Sequence, residues 1–302
     1  MIWNTKKMKL RGNKKTSFNE FPQVRQKKHS SVSVAIKKVT ENPESPILAN
    51  DEYTLKIANS IYDKKRVYRL AYEIYLDKGF IQENNKKEYT IKADLSPDAT
   101  ILFLEDKKGH MVGSMTLITD SSQEVPASNL YKSELNQIKA KGNKIVEFSR
   151  FVIAKDERNS KEILSLLTNY TYLYAYHQLN GDVIVAQVNP SHQFFYKHIL
   201  QFDQLGQEKE CPVVRGAPAV LMVKSMQEMK KLIEICLKRS IEKKTKKMKR
   251  LIYNSYFNAE KEADVIRKMR SLKSIEIYNR PRNHPILQRL KLLTHRRTSA
   301  IV

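Results

Sequence analysis

The alternation of apolar and polar residues predicts a mixed series of helices and strands in the middle of the chain. Between 61 and 75 the apolar residues recur at helical spacing, and Gly79 then provides a helix stop. Further helices are predicted at 128–140, 156–181 and 192–202. Alternating or continuous apolar runs predict strands at 54–58, 99–120 (a hairpin), 143–155, 182–189 and 217–223. This order of elements favours an α/β fold in which a central mixed sheet carries helices on both faces.

Beyond residue 224 the pattern becomes helical and basic. Apolar residues recur at helical spacing from 226 to 252, and the opposite face carries the lysine run 243–250. We therefore expect a basic amphipathic helix over 226–252, a further helix over 258–275 and a basic tail.

The net charge is confined to the two ends of the chain. The 302 residues contain 55 Lys and Arg against 32 Asp and Glu, which gives a formal net charge of +23. Residues 1–50 have a net charge of +8, residues 224–302 of +15 and residues 51–223 of zero. We expect a basic, mostly disordered arm at 1–50, a neutral globular domain at 51–223 and a basic helical extension at 224–302. The basic ends could face an acidic protein, an anionic lipid surface or nucleic acid.

The composition argues against several classes of protein. With 9% aromatic residues the chain is not wholly disordered, and eight glycines and ten prolines exclude a collagen-like chain. The two cysteines, Cys211 and Cys236, cannot form a disulfide framework or a Cys-x-x-Cys zinc pair, so no metal site is expected. The sequence contains no run of about 18 apolar residues, the length that a membrane-spanning helix needs. The expected location is the reducing cytoplasm, and peripheral attachment to the inner face of the membrane stays open.

Three segments carry the functional signal when they are taken together. They are 67–80 (VYRLAYEIYLDKGF), 146–154 (VEFSRFVIA), and 189–206 followed by RGAPAVLM at 215–222. Together they resemble the acyl-carrier-dependent branch of the GNAT acyltransferase superfamily, and within it the long-chain N-acyl amino acid synthases. The related acyl-homoserine lactone (autoinducer) synthases share the Glu-x-Ser-Arg-Phe strand. The resemblance implies a GNAT-like fold for 51–223 and the transfer of an acyl group from a thioester to an amine.

The resemblance also implies three catalytic residues near an opening between two central parallel strands, 144–154 and 182–189. The amine must lose a proton and the thiolate must gain one, so titratable groups are needed there. Glu147 is the expected general base or amine-orienting group, and Tyr196 would protonate the thiolate. Arg150 would bind a carboxylate or organise an electrostatic cluster, and a β-bulge would bring it onto the face of Glu147. Structural alternatives remain: an ion pair for either charged residue and a core aromatic for Tyr196.

The predicted substrate-binding residues come from the same three segments. In the family the helix containing Arg69 covers the substrate cleft, and this arginine is the candidate either for binding the carboxylate of an amino acid or for the electrostatic cluster. Aromatic side chains near the opening would line an apolar tunnel, in which each buried CH₂ contributes about 0.8 kcal/mol. A surface ion pair, an exposed turn and ordinary core packing are the alternatives. The predicted set is Arg69, Tyr72, Glu73, Phe148, Phe151, Asn189, His192 and Phe195.

The turn after the Glu-containing strand lacks the glycines that cradle the pyrophosphate in CoA-dependent GNAT enzymes. It begins at Arg158 and reads Arg-Asn-Ser-Lys-Glu-Ile. Because the backbone cannot approach a pyrophosphate as closely without glycine, an acyl-phosphopantetheine donor on acyl carrier protein is favoured over CoA. No permanently bound cofactor is expected. Acyl carrier proteins are acidic, so the basic extension would steer this partner toward the protein.

Other partners and another function stay open at this point. The 226–252 helix could also lie on an anionic membrane surface. The alternative function is a nucleic-acid- or membrane-binding protein built on a catalytically inactive GNAT scaffold. Nucleic acid is the disfavoured partner, because the aromatic residues concentrate in the neutral core and no nucleic-acid motif is present. The acceptor amine and the acyl chain length cannot be read from the sequence.

Overall fold

A mixed β-sheet organises the part of the chain that the computed structural model describes, residues 47–49, 52–158 and 160–279. Its strands are β1 (Leu48–Ala49), β2 (Tyr53–Ile57), β3 (Ala99–Asp106), β4 (Met111–Thr119), β5 (Ile145–Ile153), β6 (Val183–Val188), β7 (Asp203–Cys211) and β8 (Ala217–Ser225). They lie in the order β1-β2-β3-β4-β5-β6-β8-β7. The predicted basic arm, apart from 47–49, and the tail beyond 279 lie outside the described residues.

Six helices lie in the described part of the chain, and several of them begin at a capping side chain. They are α1 (Ile61–Asp77), α2 (Ser128–Ala140), α3 (Lys161–His177), α4 (Met226–Lys238), α5 (Lys246–Lys249) and α6 (Ala259–Asn279). Ser60, Ser160 and Ser225 cap α1, α3 and α4, each accepting a hydrogen bond from the backbone N–H three residues on. Gly79, with φ +68°, follows the end of α1 as expected. The helix predicted at 156–181 begins only at Lys161, because residues 155–157 form a 3₁₀ turn before the Ser160 cap.

One strand pair in the described sheet is parallel. β5 and β6 run in the same direction and are connected through α3, whereas every other neighbouring pair is antiparallel. A parallel pair needs a long crossover, and a helix of this length provides it. The structure therefore confirms the predicted α/β fold with a central mixed sheet.

Helices cover both faces of the sheet. On one face α1 packs on β3 through Val67 and Tyr68, and α2 packs on β5, β6 and β8. On the other face α3 packs against Leu117, Phe148 and Ile184 and is buried on nearly all sides. α3 is enclosed because the C-terminal segment covers the side that faces away from the sheet. The two layers of helices leave the sheet, including its β5–β6 pair, in the middle of the molecule.

The C-terminal segment differs from its prediction. The single helix expected over 226–252 is wrong, because α4 ends at Lys238 and is followed by two 3₁₀ turns with α5 between them. The break lets buried residues after 250 turn back into the core: the Tyr253 hydroxyl donates to the Leu200 carbonyl at 2.7 Å, and Asn169 donates to the Ser255 carbonyl at 2.9 Å. Within the described residues, no helix is long and apolar enough to cross a membrane.

Candidate active site

The opening predicted between β5 and β6 is present. The two strands pair only from Ile145 opposite Val183 to Glu147 opposite Val185, although β5 continues to Ile153 and β6 to Val188. Beyond the last pair the strands diverge around a cavity of about 170 Å³. Beyond this point the backbone N–H and C=O groups of β5 and β6 do not pair between the two strands, and these groups lie beside the cavity.

A β-bulge in β5 accompanies the divergence. Ser114 of β4 pairs with Val152 of β5, and Thr116 pairs with Ser149. The two pairs are therefore two residues apart on β4 but three residues apart on β5, so β5 contains one extra residue. Arg150 lies in this bulge with φ +46°, a left-handed conformation that is uncommon for a residue with a Cβ. The bulge turns Arg150 toward Thr116, whose neighbour on the same face, Ile118, pairs with Glu147. Glu147 and Arg150 therefore share one face of the sheet, as the sequence analysis expected for a bulged strand.

The cavity passes through the sheet and takes its lining from both faces. Helix α1 contributes from one face, and the segment after β6 from the other. The residues around it are Ile74, Tyr75, Lys78, Phe80, Phe148, Arg150, Phe151, Val152, Ile153, Arg158, Gln187, Val188, Asn189, His192, Phe195 and Tyr196. Seven of the predicted site residues are among them: Phe148, Arg150, Phe151, Asn189, His192, Phe195 and Tyr196.

Three predicted substrate-binding residues of α1 lie outside the cavity. The Arg69 side chain is 58% exposed and faces Glu88 at 3.6 Å, and Glu73 is exposed. Tyr72 is buried, and its hydroxyl accepts a hydrogen bond from the Asn84 N–H at 3.3 Å. The face of α1 that meets the cavity instead carries Ile74, Tyr75 and Lys78. Positions 69 and 73 are four residues apart and share a different face of the helix.

Glu147 lies at the edge of the gap without lining it. Its side chain is 3% exposed, and its Oε2 accepts a hydrogen bond from the Ala127 N–H at 2.7 Å. Burial raises the pKa of this carboxyl to about 7, although the Ala127 N–H opposes the rise. The negative charge of Glu147 in turn helps raise the pKa of Tyr75, for which burial is the larger cause. With a pKa of about 7, Glu147 can gain or lose a proton near neutral pH.

Arg150 forms a buried ion pair with Asp94. Its guanidinium donates to both carboxylate oxygens of Asp94, at 2.7 Å from Nη1 to Oδ2, and to the Thr116 hydroxyl at 3.0 Å. It also lies 5.4 Å from the centre of the Tyr68 ring. Burial raises the pKa of Asp94, and the charge of Arg150 opposes this rise. Most of the donors of Arg150 are thus used within the protein, an arrangement that suits an organising role better than the binding of a free carboxylate.

Tyr196 and His192 face the cavity from the segment after β6. Tyr196 lies on a π-helical turn at Phe195–Ile199, and burial raises its pKa above the usual range, so the hydroxyl keeps its proton. Among the described residues, no group hydrogen-bonds to this hydroxyl. Burial, with the nearby charge of Lys78, lowers the pKa of His192 to about 4, so this imidazole is neutral at pH 7. The site therefore presents a proton donor and a neutral imidazole to the same space.

Two hydrogen bonds to the backbone hold the Asn189 side chain in place. Its Oδ1 accepts from the Ser191 N–H at 3.0 Å, and its Nδ2 donates to the Pro218 carbonyl at 3.1 Å. These bonds fix the turn that follows β6 against β8. The side chain lines the cavity while most of its hydrogen-bonding capacity is used by the fold.

The cavity also contains residues that the sequence analysis missed. Tyr75 stacks on Tyr89 at 4.5 Å, and Gln187 donates to the sulfur of the buried Cys211 at 3.2 Å. At the rim Arg158 pairs with Asp77 at 3.1 Å. Tyr75 belongs to a tyrosine stripe whose spacing is equally typical of a core helix, so only the position of α1 on the sheet identifies it. Within the described residues, no cluster of His, Cys, Asp and Glu could hold a metal ion.

One family model and several solved structures are similar to this chain. The model of the FeeM N-acyl amino acid synthase family matches residues 66–225, just over half of the chain. Among solved structures, FeeM itself, an N-acyl amino acid synthase from uncultured soil microbes, is 22% identical with a TM-score of 0.52, over 59% of this chain and 93% of that one. No curated protein gave a match.

Two acyl-homoserine lactone synthases are also similar. LasI is 14% identical, with a TM-score of 0.46 over 58% of this chain and 90% of that one. The CoA-dependent synthase BjaI is 13% identical, with a TM-score of 0.42 over 68% and 90%. The match to the family model spans the paired strands, the gap and the cavity-lining turn. The chain belongs to the FeeM family of N-acyl amino acid synthases, which are N-acyltransferases with a GNAT-like fold.

Proposed function

We propose that this N-acyltransferase moves a long acyl chain from acyl carrier protein to the amine of an amino acid or a similar small amine. The observation that carries the proposal is the gap beyond Glu147 and Val185, which is lined from both faces of the sheet. A thioester arm enters between β5 and β6, and the amine reaches the carbonyl from the other face. Donors that the strand pairing leaves unused stabilise the oxyanion.

Acyl carrier protein is the proposed donor because of the cavity rim. Lys78 and Arg158 lie there, and the turn that begins at Arg158 has no glycine with which to cradle a pyrophosphate. A carrier protein presents a single phosphate on its pantetheine arm, for which two cations suffice. The acyl chain then lies against Phe148, Phe151 and Phe195, where each buried CH₂ contributes about 0.8 kcal/mol.

The proton transfers follow from the two titratable groups on either side of the gap. The amine nitrogen attacks the thioester carbon, the carbon–sulfur bond breaks, and the products are an amide and a thiol. Glu147, with its pKa of about 7, accepts the proton from the amine, and Tyr196 donates one to the leaving sulfur. Proton exchange with solvent then removes the proton from Glu147 and restores the Tyr196 hydroxyl, whose raised pKa favours its reprotonation. Arg150 and Asp94 hold the bulge that shapes the opening.

The test supplies purified full-length protein with acyl carrier protein or CoA, loaded with chains of increasing length, and a panel of amino acids and small amines. Mass spectrometry detects the N-acyl products. We expect long-chain N-acyl amides with the carrier-bound donor and much less product with CoA. A preference for CoA contradicts the proposed donor, and the absence of any N-acyl product contradicts the proposed reaction.

A steric variant connects that activity to the gap. Val188→Trp introduces a bulky ring into the cavity lining, and Val213→Trp introduces the same ring on the 55% exposed turn between β7 and β8. We expect the first variant to lose most of its activity while remaining folded, and the second to retain it. Equal activity in both contradicts a reaction within the gap.

A further inference from the structure

The cations of residues 226–250 lack anionic partners. This segment contains ten Lys and Arg against three Glu, a net charge of +7. Within the described residues none of these ten side chains forms an ion pair, whereas Lys224, just before the segment, pairs with Glu228 at 2.9 Å. Cations elsewhere on the surface do face carboxylates, as Lys139 faces Asp120 at 2.9 Å. The positive charge of the segment is therefore available to an anion outside the protein.

Exposed apolar side chains lie among these cations. On α4, Ile235 is 40% exposed and Leu237 is 47% exposed, while Met229 and Ile233 of the same helix are buried in the core. Phe194, just before the π-helical turn, is 52% exposed. Large apolar side chains surrounded by lysines are typical of surfaces that lie at a lipid–water boundary.

These features belong to one continuous surface. Nη1 of Arg239, at the end of α4, lies 3.5 Å from the sulfur of Met248 in α5. Just after α5, the Tyr253 hydroxyl donates to the carbonyl of Leu200, the residue that ends the π-helical turn, at 2.7 Å. The ring of His198 lies 4.7 Å from that of Phe194. The end of α4, α5 and the π-helical turn are thus neighbours, and we call them the C-terminal basic surface.

We propose that the C-terminal basic surface docks the protein on an anionic lipid bilayer. Its lysines lie at the headgroups, and Phe194 and Ile235, which shares a side of α4 with Arg239, enter the boundary with the acyl chains. Eight of the ten cations are lysines, point charges that attract a diffuse anionic surface without a fixed geometry. Nucleic acid fits less well, because among the described residues of this surface Phe194 is the one exposed apolar side chain with a ring on which a base could stack. The proposal is independent of the acyl donor and of the acceptor.

The test measures cosedimentation of the full chain with vesicles of phosphatidylcholine, alone or with one third phosphatidylglycerol. We expect binding only to the anionic vesicles and weaker binding as salt rises. Lys246→Gln, Lys247→Gln and Lys249→Gln together should reduce this affinity about a hundredfold. Ile235→Ser should reduce it about tenfold and also remove binding that persists at high salt.

Matched controls alter exposed side chains elsewhere. Lys65→Gln, Lys107→Gln and Lys108→Gln remove the same charge, and Ile61→Ser removes an apolar side chain that is 73% exposed. These variants should bind like the unaltered chain, and thermal melts show that all of them are folded. If the control and test variants lose the same affinity for anionic vesicles, binding depends on the overall charge of the protein and the proposal is wrong. The proposal is also wrong if the α5 triple variant binds anionic vesicles as well as the unaltered chain does, or if it loses only its binding of acyl carrier protein.

Discussion

Glu147 and Val185 form the last pair between β5 and β6, and the strands separate immediately beyond them. A buried carboxyl with a pKa of about 7 thus lies where the sheet opens, on the same face as Arg150 and Gln187. The proposed base does not line the cavity, so it acts at the edge of the gap. This relationship connects the bulge, the opening and the proton transfers.

Replacing Tyr196 tests the proposed proton donor. Tyr196→Phe keeps the buried ring but removes the hydroxyl, so kcat should fall about a hundredfold while KM stays within about twofold. Tyr170→Phe is the matched control, because the Tyr170 hydroxyl is buried without a partner and lies away from the cavity. Steady-state kinetics on both variants measure this. Similar kcat values for the two would rule out Tyr196 as the donor.

The stability of the protein should depend on the titration of Glu147. Its folded-state pKa of about 7 lies above the ordinary value of 4.5, so the folded state binds the proton more tightly and stability falls as the pH rises between them. The loss should reach about 3 kcal/mol between pH 4 and pH 8.

Glu147→Gln isolates that contribution, because its amide oxygen can still accept from the Ala127 N–H. Relative to the unaltered chain, the variant should gain about 3 kcal/mol in the free energy of unfolding on going from pH 4 to pH 8. Urea titrations at both values measure it. A difference that does not change with pH means that Glu147 titrates normally and is no base with a pKa near 7.

The Arg150–Asp94 pair should be strongly coupled. Both side chains are almost fully buried, so removing either partner leaves an uncompensated charge. Arg150→Met or Asp94→Leu should each cost about 3–5 kcal/mol, and the double variant should cost clearly less than the sum. A double-mutant cycle by urea unfolding provides the coupling energy. Additive losses would show that the two side chains act independently.

The C-terminal segment should stabilise the turn that carries Tyr196. Tyr253→Phe removes the donor to the Leu200 carbonyl and leaves that buried acceptor unpaired, at a cost of about 1–3 kcal/mol. Tyr170→Phe removes a buried hydroxyl that has no hydrogen-bond partner among the described residues, so it should not destabilise the protein. Thermal or urea unfolding compares the two. If Tyr253→Phe is as mild as Tyr170→Phe, the bond to Leu200 contributes nothing.

Local patterns in the sequence predict the elements of this fold, and long-range contacts decide the rest. The apolar run of β6 and the stop of α1 at Gly79 follow from residues near one another in the chain, whereas the bulge in β5 is expected from the family resemblance. The partner of Arg150 does not follow from nearby residues, because Asp94 is 56 residues away in a segment that the pattern gives only as a loop. The periodicity of α1 likewise separates an apolar face from a polar face. It does not show that Tyr75, and not Arg69, lines the cavity.

The same limit explains the C-terminal segment. Its apolar spacing is helical on average, but burial of Tyr253 and Phe257 against α3 and the π-helical turn requires a break after α4. The division of the chain at residue 223 stays a prediction based on charge. Residues on both sides of that position share one hydrophobic core.

A structure with a non-hydrolysable acyl-pantetheine thioether bound tests the central claim most directly. We predict density for the pantetheine arm between β5 and β6 beyond Glu147 and Val185, with the sulfur close to the Tyr196 hydroxyl and the acyl chain against Phe148 and Phe151. Density for the compound anywhere else, with the gap between the two strands empty, would contradict it.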